Sequence, residues 1–316
     1  MFKRYALLCA AVLTSCLVTG SAAALVCGEV IYTDTVMTHD LLNCPSPGLV
    51  IGEDGVTLEM AGHLISGRGS GTGISVLGGV SHVRIQGPGK VEGFHLGVEA
   101  RGSHHVTVQK LTLLGNLGAG ISFYEVEDSL VYGNEVIAST YGISREGAGG
   151  PASRNRVQEN QVNNCMGYGA GLILHAGDDH AVESNFIDGC DGGMALSGTS
   201  RVLIEGNAIL RTNQAISLVS GWVGPMDENR IVRNKIYQNA SNIQISSGIA
   251  ATYPIKQTLI EENAFEGGLY GLYLDDALVA LTNFLDNHLD LVTTPLVDNG
   301  TGTVSSGNFC NGVPCP

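Results

Sequence analysis

Four residues that carry proton-transfer or charge-stabilising chemistry recur along the chain: Arg101, Tyr124, Glu146 and His175. An imidazole can take a proton from carbon and a phenol can donate one. A guanidinium can neutralise a carboxylate, and a carboxylate can orient any of them. That set suits abstraction of the C5 proton of a uronic-acid residue: His175 as base, Tyr124 as acid, Arg101 as neutraliser and Glu146 as orienter. Two more carboxylates, Asp178 and Asp179, stand beside His180. Paired acids next to a histidine suit a metal such as calcium, or cleavage of a glycoside. A solvated turn is the plainer reading of the same residues. None of this chemistry works unless residues remote in the chain become neighbours.

An internal repeat of about 25 residues would bring them together. Its signature is an apolar residue, two others, asparagine, one other and a second apolar residue. It recurs at 131–136, 157–162, 182–187, 204–209, 231–236 and 260–265, centred on Asn134, Asn160, Asn185, Asn207, Asn234 and Asn263. Asn283 and Asn308 extend the series, and Gly62, Gly89 and Lys110 hold the equivalent place upstream. Each repeat also contains a small residue followed by apolar, any, apolar, as at 73–76, 120–123, 171–174, 193–196, 215–218 and 271–274. Alternation at period two means short strands with one buried face. No helical period intervenes. Glycine, 44 of 316 residues, and a charged fraction of 15% fit short strands joined by tight turns.

Short strands at a fixed repeat give an all-β parallel β-helix of about ten coils stacked at the ~4.8 Å strand spacing. The pattern resembles the right-handed parallel β-helix superfamily over roughly residues 50–310. That group includes pectate lyases, polygalacturonases, alginate lyases and epimerases, and periplasmic NosD-like proteins. The resemblance implies that the asparagines form an inward ladder. Gly177-Asp178-Asp179 resembles one polygalacturonase motif, but that family's Asn-Thr-Asp, Gly-His-Gly and Arg-Ile-Lys signatures are absent. Tyr141-Gly142-Ile143 resembles the start of the mannuronan C5-epimerase signature, which Ser144-Arg145-Glu146 does not continue.

Stacked coils turn the repeat into a ruler. Arg101, Tyr124, Glu146 and His175 fall at one outward strand position on consecutive coils. Cys165 and Cys190 each follow a repeat asparagine by five residues, so they face each other at disulfide distance. Cys27–Cys44 and Cys310–Cys315 are the remaining expected pairs, as terminal staples. The domain reading is a signal peptide at 1–24, an N-terminal cap at 25–53, the β-helix at 54–309 and a C-terminal cap at 310–316. Lys3 and Arg4, the apolar run to Val18 and Ala22-Ala23-Ala24 form the signal. Leu13-Thr14-Ser15-Cys16 resembles a lipobox, which gives lipoprotein anchoring at Cys16 as the alternative. No later run is long enough for a membrane helix. A secreted or periplasmic monomer is expected.

A net charge of −14 excludes a nucleic-acid partner. Arg145, Arg154, Arg156, Arg201, Arg211, Arg230, Arg233 and Lys235 nevertheless fall within a few coils, and would form a positive stripe. Of these, Arg145, Arg154 and Lys235, with Trp222 in a lengthened loop, are the candidate polysaccharide contacts. Arg145 occupies a nominally inward position, which predicts a bulge or loop start there. His82 and His105 would stack, and resemblance to copper-associated NosD-like proteins implies a soft metal. The expected function is binding or modification of a polysaccharide, by β-elimination or C5-epimerisation if catalytic. The alternative is a non-catalytic surface rod or NosD-like accessory protein.

Overall fold

The structure, a computed structural model, describes residues 24–146, 152–220, 224–246 and 253–315. Three sheets of twelve strands each wind around one axis, roughly eleven turns in all, and every pairing in them is parallel but the last of the third sheet, where Phe309–Cys310 and Val313–Pro314 run antiparallel. The first sheet carries the longest strands and runs from Glu29–Ile31 through Leu96–Arg101, Ala119–Tyr124, Tyr141–Glu146 and Ala170–His175 to Thr294–Asp298. No helix occurs among the described residues. The extra winding over the expected ten coils comes from the N-terminal segment. Glu29–Ile31 pairs with Leu49–Ile51, and Thr35–Val36 with the strand Thr57–Glu59.

Strand alternation sends one set of side chains into a continuous apolar column. Val98, Ile121, Ile143, Leu172 and Met194 follow one another in register on the first sheet, all buried. Burying each side chain stabilises by roughly 1.5–3 kcal/mol. The small residue that opens the strand signature has a steric cause. A Cβ on Gly120 would lie 2.4 Å from Val136 Cγ1, and one on Gly171 2.4 Å from Ile187 Cγ2. The sheet opposite fills the space that side chain would need.

The asparagines face inward as a ladder. Asn134, Asn160, Asn185, Asn207, Asn234, Asn263, Asn287 and Asn308 are linked Nδ2 to Oδ1 at 3.0 Å from each coil to the next. Each Oδ1 also accepts the backbone N–H of the preceding rung, as in Asn160 to Asn185 at 2.9 Å. The corner's buried amides are thereby satisfied from within. Three assignments of the repeat shift. His63, not Gly62, precedes Gly89, since Leu64–Ser66 pairs with Lys90–Glu92 in register. Asn287, not Asn283, continues the ladder, because Asn283 begins a strand of the second sheet. Leu111, not Lys110, precedes Asn134, since its N–H donates to Asn134 Oδ1.

A second corner is built from left-handed residues. His82, His105, Asp128, Arg154, Asp179, Arg201 and Glu228 succeed one another with φ between 51° and 60°. All three expected disulfides form, with Cα separations of 5.4 Å for Cys27–Cys44, 4.5 Å for Cys165–Cys190 and 4.9 Å for Cys310–Cys315. Cys165 and Cys190 join adjacent coils, as the repeat length requires.

Candidate functional site

The outer face of the first sheet carries the expected column. Tyr124 pairs with Arg101 on one side and Glu146 on the other. Arg145 pairs with Leu174, so the next strand continues the column with His175, which in turn pairs with Ser197. The Arg101 guanidinium carbon stands 5.3 Å from the centre of the Tyr124 ring. Arg101 is also bound to Glu99 at 2.6 Å, so its charge is already compensated. Adjacent strands lie ~4.8 Å apart, which separates Tyr124 from His175 by about 10 Å along the axis, and Arg101 from His175 by about 14 Å. The four residues form a row along the axis. Several linked sugar rings span that length, and one ring does not.

The other expected contacts scatter. Arg145 does not open a bulge: its strand stays in register between Phe123 and Leu174, and its side chain is only 2% exposed. Its Nη1 donates to the carbonyls of His175, at 2.7 Å, and Ala176. Nε and Nη2 have no hydrogen-bond partner among the described residues. Burial pulls this guanidinium down to about 10, against the opposing charge of Glu127. A group enclosed in this way cannot meet a ligand on the outer face. Arg154 lies at the left-handed corner, clamped by Asp128 at 2.6 and 2.8 Å. Lys235 is exposed on the third sheet. Trp222, like the signal segment with Cys16, falls outside the described residues.

The acidic pair is likewise occupied. Arg201 binds Asp179 at 2.7 Å and Asp178 at 2.8 Å, and this holds the Asp179 carboxyl below the usual range. His180 turns away from both acids. It is 2% exposed, and its Nδ1 accepts the backbone N–H of Asn155 at 3.2 Å in the same inward column as Ser129 and Asn155. Burial first, then the charge of Arg145, pushes its pKa down to about 3, so the ring is neutral. Among the described residues no third ligand is brought to Asp178 and Asp179. Ligand atoms of His104, Glu127 and Asp128 do lie within 4.8 Å of one another, but Arg154 already engages both carboxylates. His82 and His105 stack as expected, with ring centres 4.6 Å apart.

Much of the positive stripe is neutralised, although the exposed Arg230 and Lys235 stand in no ion pair among the described residues. Arg156 pairs with Glu183 at 3.3 Å, Arg211 with Asp188 at 2.7 Å, and Arg233 with Glu205 and Glu262. Exposed pairs of this kind contribute little stability, but they cancel the local field an anionic polymer would need.

Two depressions on the first sheet's outer face were not foreseen in the repeat pattern. One, of about 310 Å³, is lined by His95, Leu96, Leu117, Ser122, Tyr141 and Ser144. The other, of about 280 Å³, is lined by Ser241, Gln244, Tyr270, Tyr273 and Asp275. Tyr270 and Tyr273 approach with ring centres 5.0 Å apart and planes tilted by 51°. Their signal was present in Tyr270–Leu274, where tyrosines occupy both outward positions beside the inward Leu272. A larger depression of about 580 Å³ lies at the N-terminal edge, around Leu25, Ile31, Tyr32 and Val36, away from the column.

Residues 33–187 match the family model for the right handed beta helix region, and residues 150–277 match that of the periplasmic copper-binding protein NosD. No curated protein matches the chain at the sequence level. A tailspike protein of E. coli bacteriophage HK620, in complex with a pentasaccharide, superposes with a TM-score of 0.67 at 13% identity, over 90% of this chain and 60% of that one. A hyperthermoactive exopolygalacturonase from Thermotoga maritima gives 0.62 at 11% identity, over 89% and 84%. The catalytic unit of an α-1,3-glucanase from Streptomyces thermodiastaticus gives 0.57 at 15% identity, over 89% and 63%. The chain thus spans less than two thirds of the tailspike and of the glucanase unit. At such identities the likeness is one of fold. No helix among the described residues is long and apolar enough to cross a membrane. Three parallel sheets, an inward asparagine ladder and the family match over 33–187 together make this chain a member of the right-handed parallel β-helix superfamily.

Proposed function

We propose that the protein is an exported, monomeric rod that binds a polysaccharide strand along the outer face of its first sheet, crossing successive rungs. One observation carries this reading. The outward residues Arg101, Tyr124 and His175, with Glu146 at the matching backbone position between the last two, succeed one another over adjacent strands. A linear polymer aligned with the axis meets a new rung about every 4.8 Å, so each sugar faces a fresh set of polar groups. The solved structures of like fold support it by their own ligands and substrates: a bound pentasaccharide in the tailspike, and polygalacturonate or α-1,3-glucan for the two enzymes. Export to the periplasm or beyond agrees with the three disulfides.

Lyase or C5-epimerase activity demands that His175, Tyr124 and Arg101 converge on one carbon. The row spreads them along the axis instead, and Glu99 competes for Arg101. Binding is therefore preferred to bond-making chemistry. The test is retention of the protein by a panel of immobilised polysaccharides. Wild type is retained and Tyr124→Ala is retained more weakly. Retention by none defeats the reading. Formation of an unsaturated product from a uronate polymer, lost in His175→Ala, would establish the lyase instead.

A further inference from the structure

We infer that Tyr270 and Tyr273 form a second polysaccharide contact on the same face, selective for uncharged pyranose sugars. The inference rests on the binding reading above and names its ligand class. The outward column that contains His175 continues through Ser197, Val219 and Ser246 to Asp275. The tyrosine depression therefore lies four rungs beyond His175, about 19 Å along the axis. A polymer occupying the first contact reaches it without leaving the sheet.

The chemistry of the depression is that of a sugar platform. Two half-buried phenol rings offer flat apolar surface. The C–H face of a pyranose is the complementary surface. Polar groups flank the rings. Gln214 Nε2 donates to Gln244 Oε1, which fixes that amide and turns its Nε2 away from the bond, able to donate to a hydroxyl. Ser246 Oγ donates to Asp275 at 2.9 Å, which holds the carboxylate as an acceptor for further hydroxyl groups. Orientation by a few fixed polar groups around an apolar floor is the usual design of a small-ligand site.

Charge decides the class of sugar. Among the described residues the lining contains an aspartate and no lysine, arginine or histidine, and the chain carries a net charge of −14. A uronate would place its carboxylate beside Asp275 with no cation to offset it. A neutral hexose polymer meets no such penalty.

The experiment is affinity electrophoresis of the full exported chain in native gels. The gels hold dextran, laminarin, galactomannan or polygalacturonate. Wild type is retarded by at least one neutral polymer more than by polygalacturonate. Tyr270→Ala and Tyr273→Ala each raise the dissociation constant for that polymer about tenfold, while Tyr273→Phe stays within twofold of wild type. Thermal unfolding of each variant at the wild-type midpoint shows that the fold is intact. Binding to a neutral polymer that both alanine variants retain within twofold overturns the tyrosine contact and leaves the binding reading standing. Preference for polygalacturonate overturns the neutral-sugar assignment alone. Retardation by no polymer overturns the binding reading and this inference with it.

Discussion

Arg145 Nη1 lies 2.7 Å from the carbonyl oxygen of His175, reaching it from inside the solenoid. The buried charge thus ties down the strand end that displays His175 on the outer column. It occupies a place filled by Phe123 and Leu174 on the rungs to either side. Two of its three nitrogens lack partners among the described residues, so its desolvation is only partly offset.

Replacing Arg145 with an apolar residue of similar length should separate its two roles. In Arg145→Met the buried charge disappears and the interior stays filled. The melting temperature is expected to equal or exceed that of wild type, as is common when an incompletely paired buried charge is removed. Polysaccharide affinity should fall, because the His175 strand end loses its anchor. Arg145→Ala leaves a cavity and should cost about 3 kcal/mol. Calorimetry and retention on the bound polymer read both effects. A large drop in melting temperature for Arg145→Met contradicts this account.

The asparagine ladder should be most sensitive at its centre. Asn207 accepts from Asn185 through both the backbone N–H and Nδ2, and donates to Val182, Glu205 and Asn234. Asn207→Ala orphans these buried groups and should cost about 3 kcal/mol. At the last rung water can replace what is lost, so Asn308→Ala should cost about 1 kcal/mol. Urea unfolding of the two variants tests the order. Equal losses would mean that the amides act singly.

The repeat was legible because asparagine holds the ladder place on eight successive rungs, and because the glycine that opens most of the long strands has no room for a Cβ. The register followed from those two constraints, which is why the Cys165–Cys190 pair and the outer column fell where the repeat length puts them. The misplaced asparagine at 283 shows the limit: strand and corner asparagines look alike when only spacing is seen. Arg145 was unreadable as a buried residue, since alternation places it inward and charge argues for a bulge. The backbone kept alternation, and Arg145 found two carbonyls instead. The pairing of Asp178 and Asp179 with Arg201 joins residues at and beside the left-handed corner, of mixed type, for which no sequence signature exists. Tyr270 and Tyr273 were visible only as strand residues, because aromatic outward positions are equally common on bare sheets.

His180 should make the protein sensitive to mild acid. Its folded pKa, about 3, lies below the ordinary histidine value near 6.5, so between these pH values the unfolded chain binds the extra proton. Stability is then full above about pH 6.5 and declines as pH falls towards 3. The total loss should reach a few kcal/mol. His180→Asn, which installs the residue found at Asn155 and Asn229 in the same column, should flatten the part of the profile due to this group. Urea midpoints measured from pH 7 to pH 4 distinguish the two. Parallel profiles for wild type and variant would assign the acid sensitivity to other groups.

The central claim is that a sugar polymer lies along the outer face of the first sheet, crossing rungs. A crystal structure with a soluble oligosaccharide of the polymer that binds best tests it most directly. The account predicts continuous ligand density over at least three rungs of that face, in contact with Tyr124 and His175 or with Tyr270 and Tyr273. Density confined to the second or third sheet, or to the N-terminal edge around Tyr32, would contradict it.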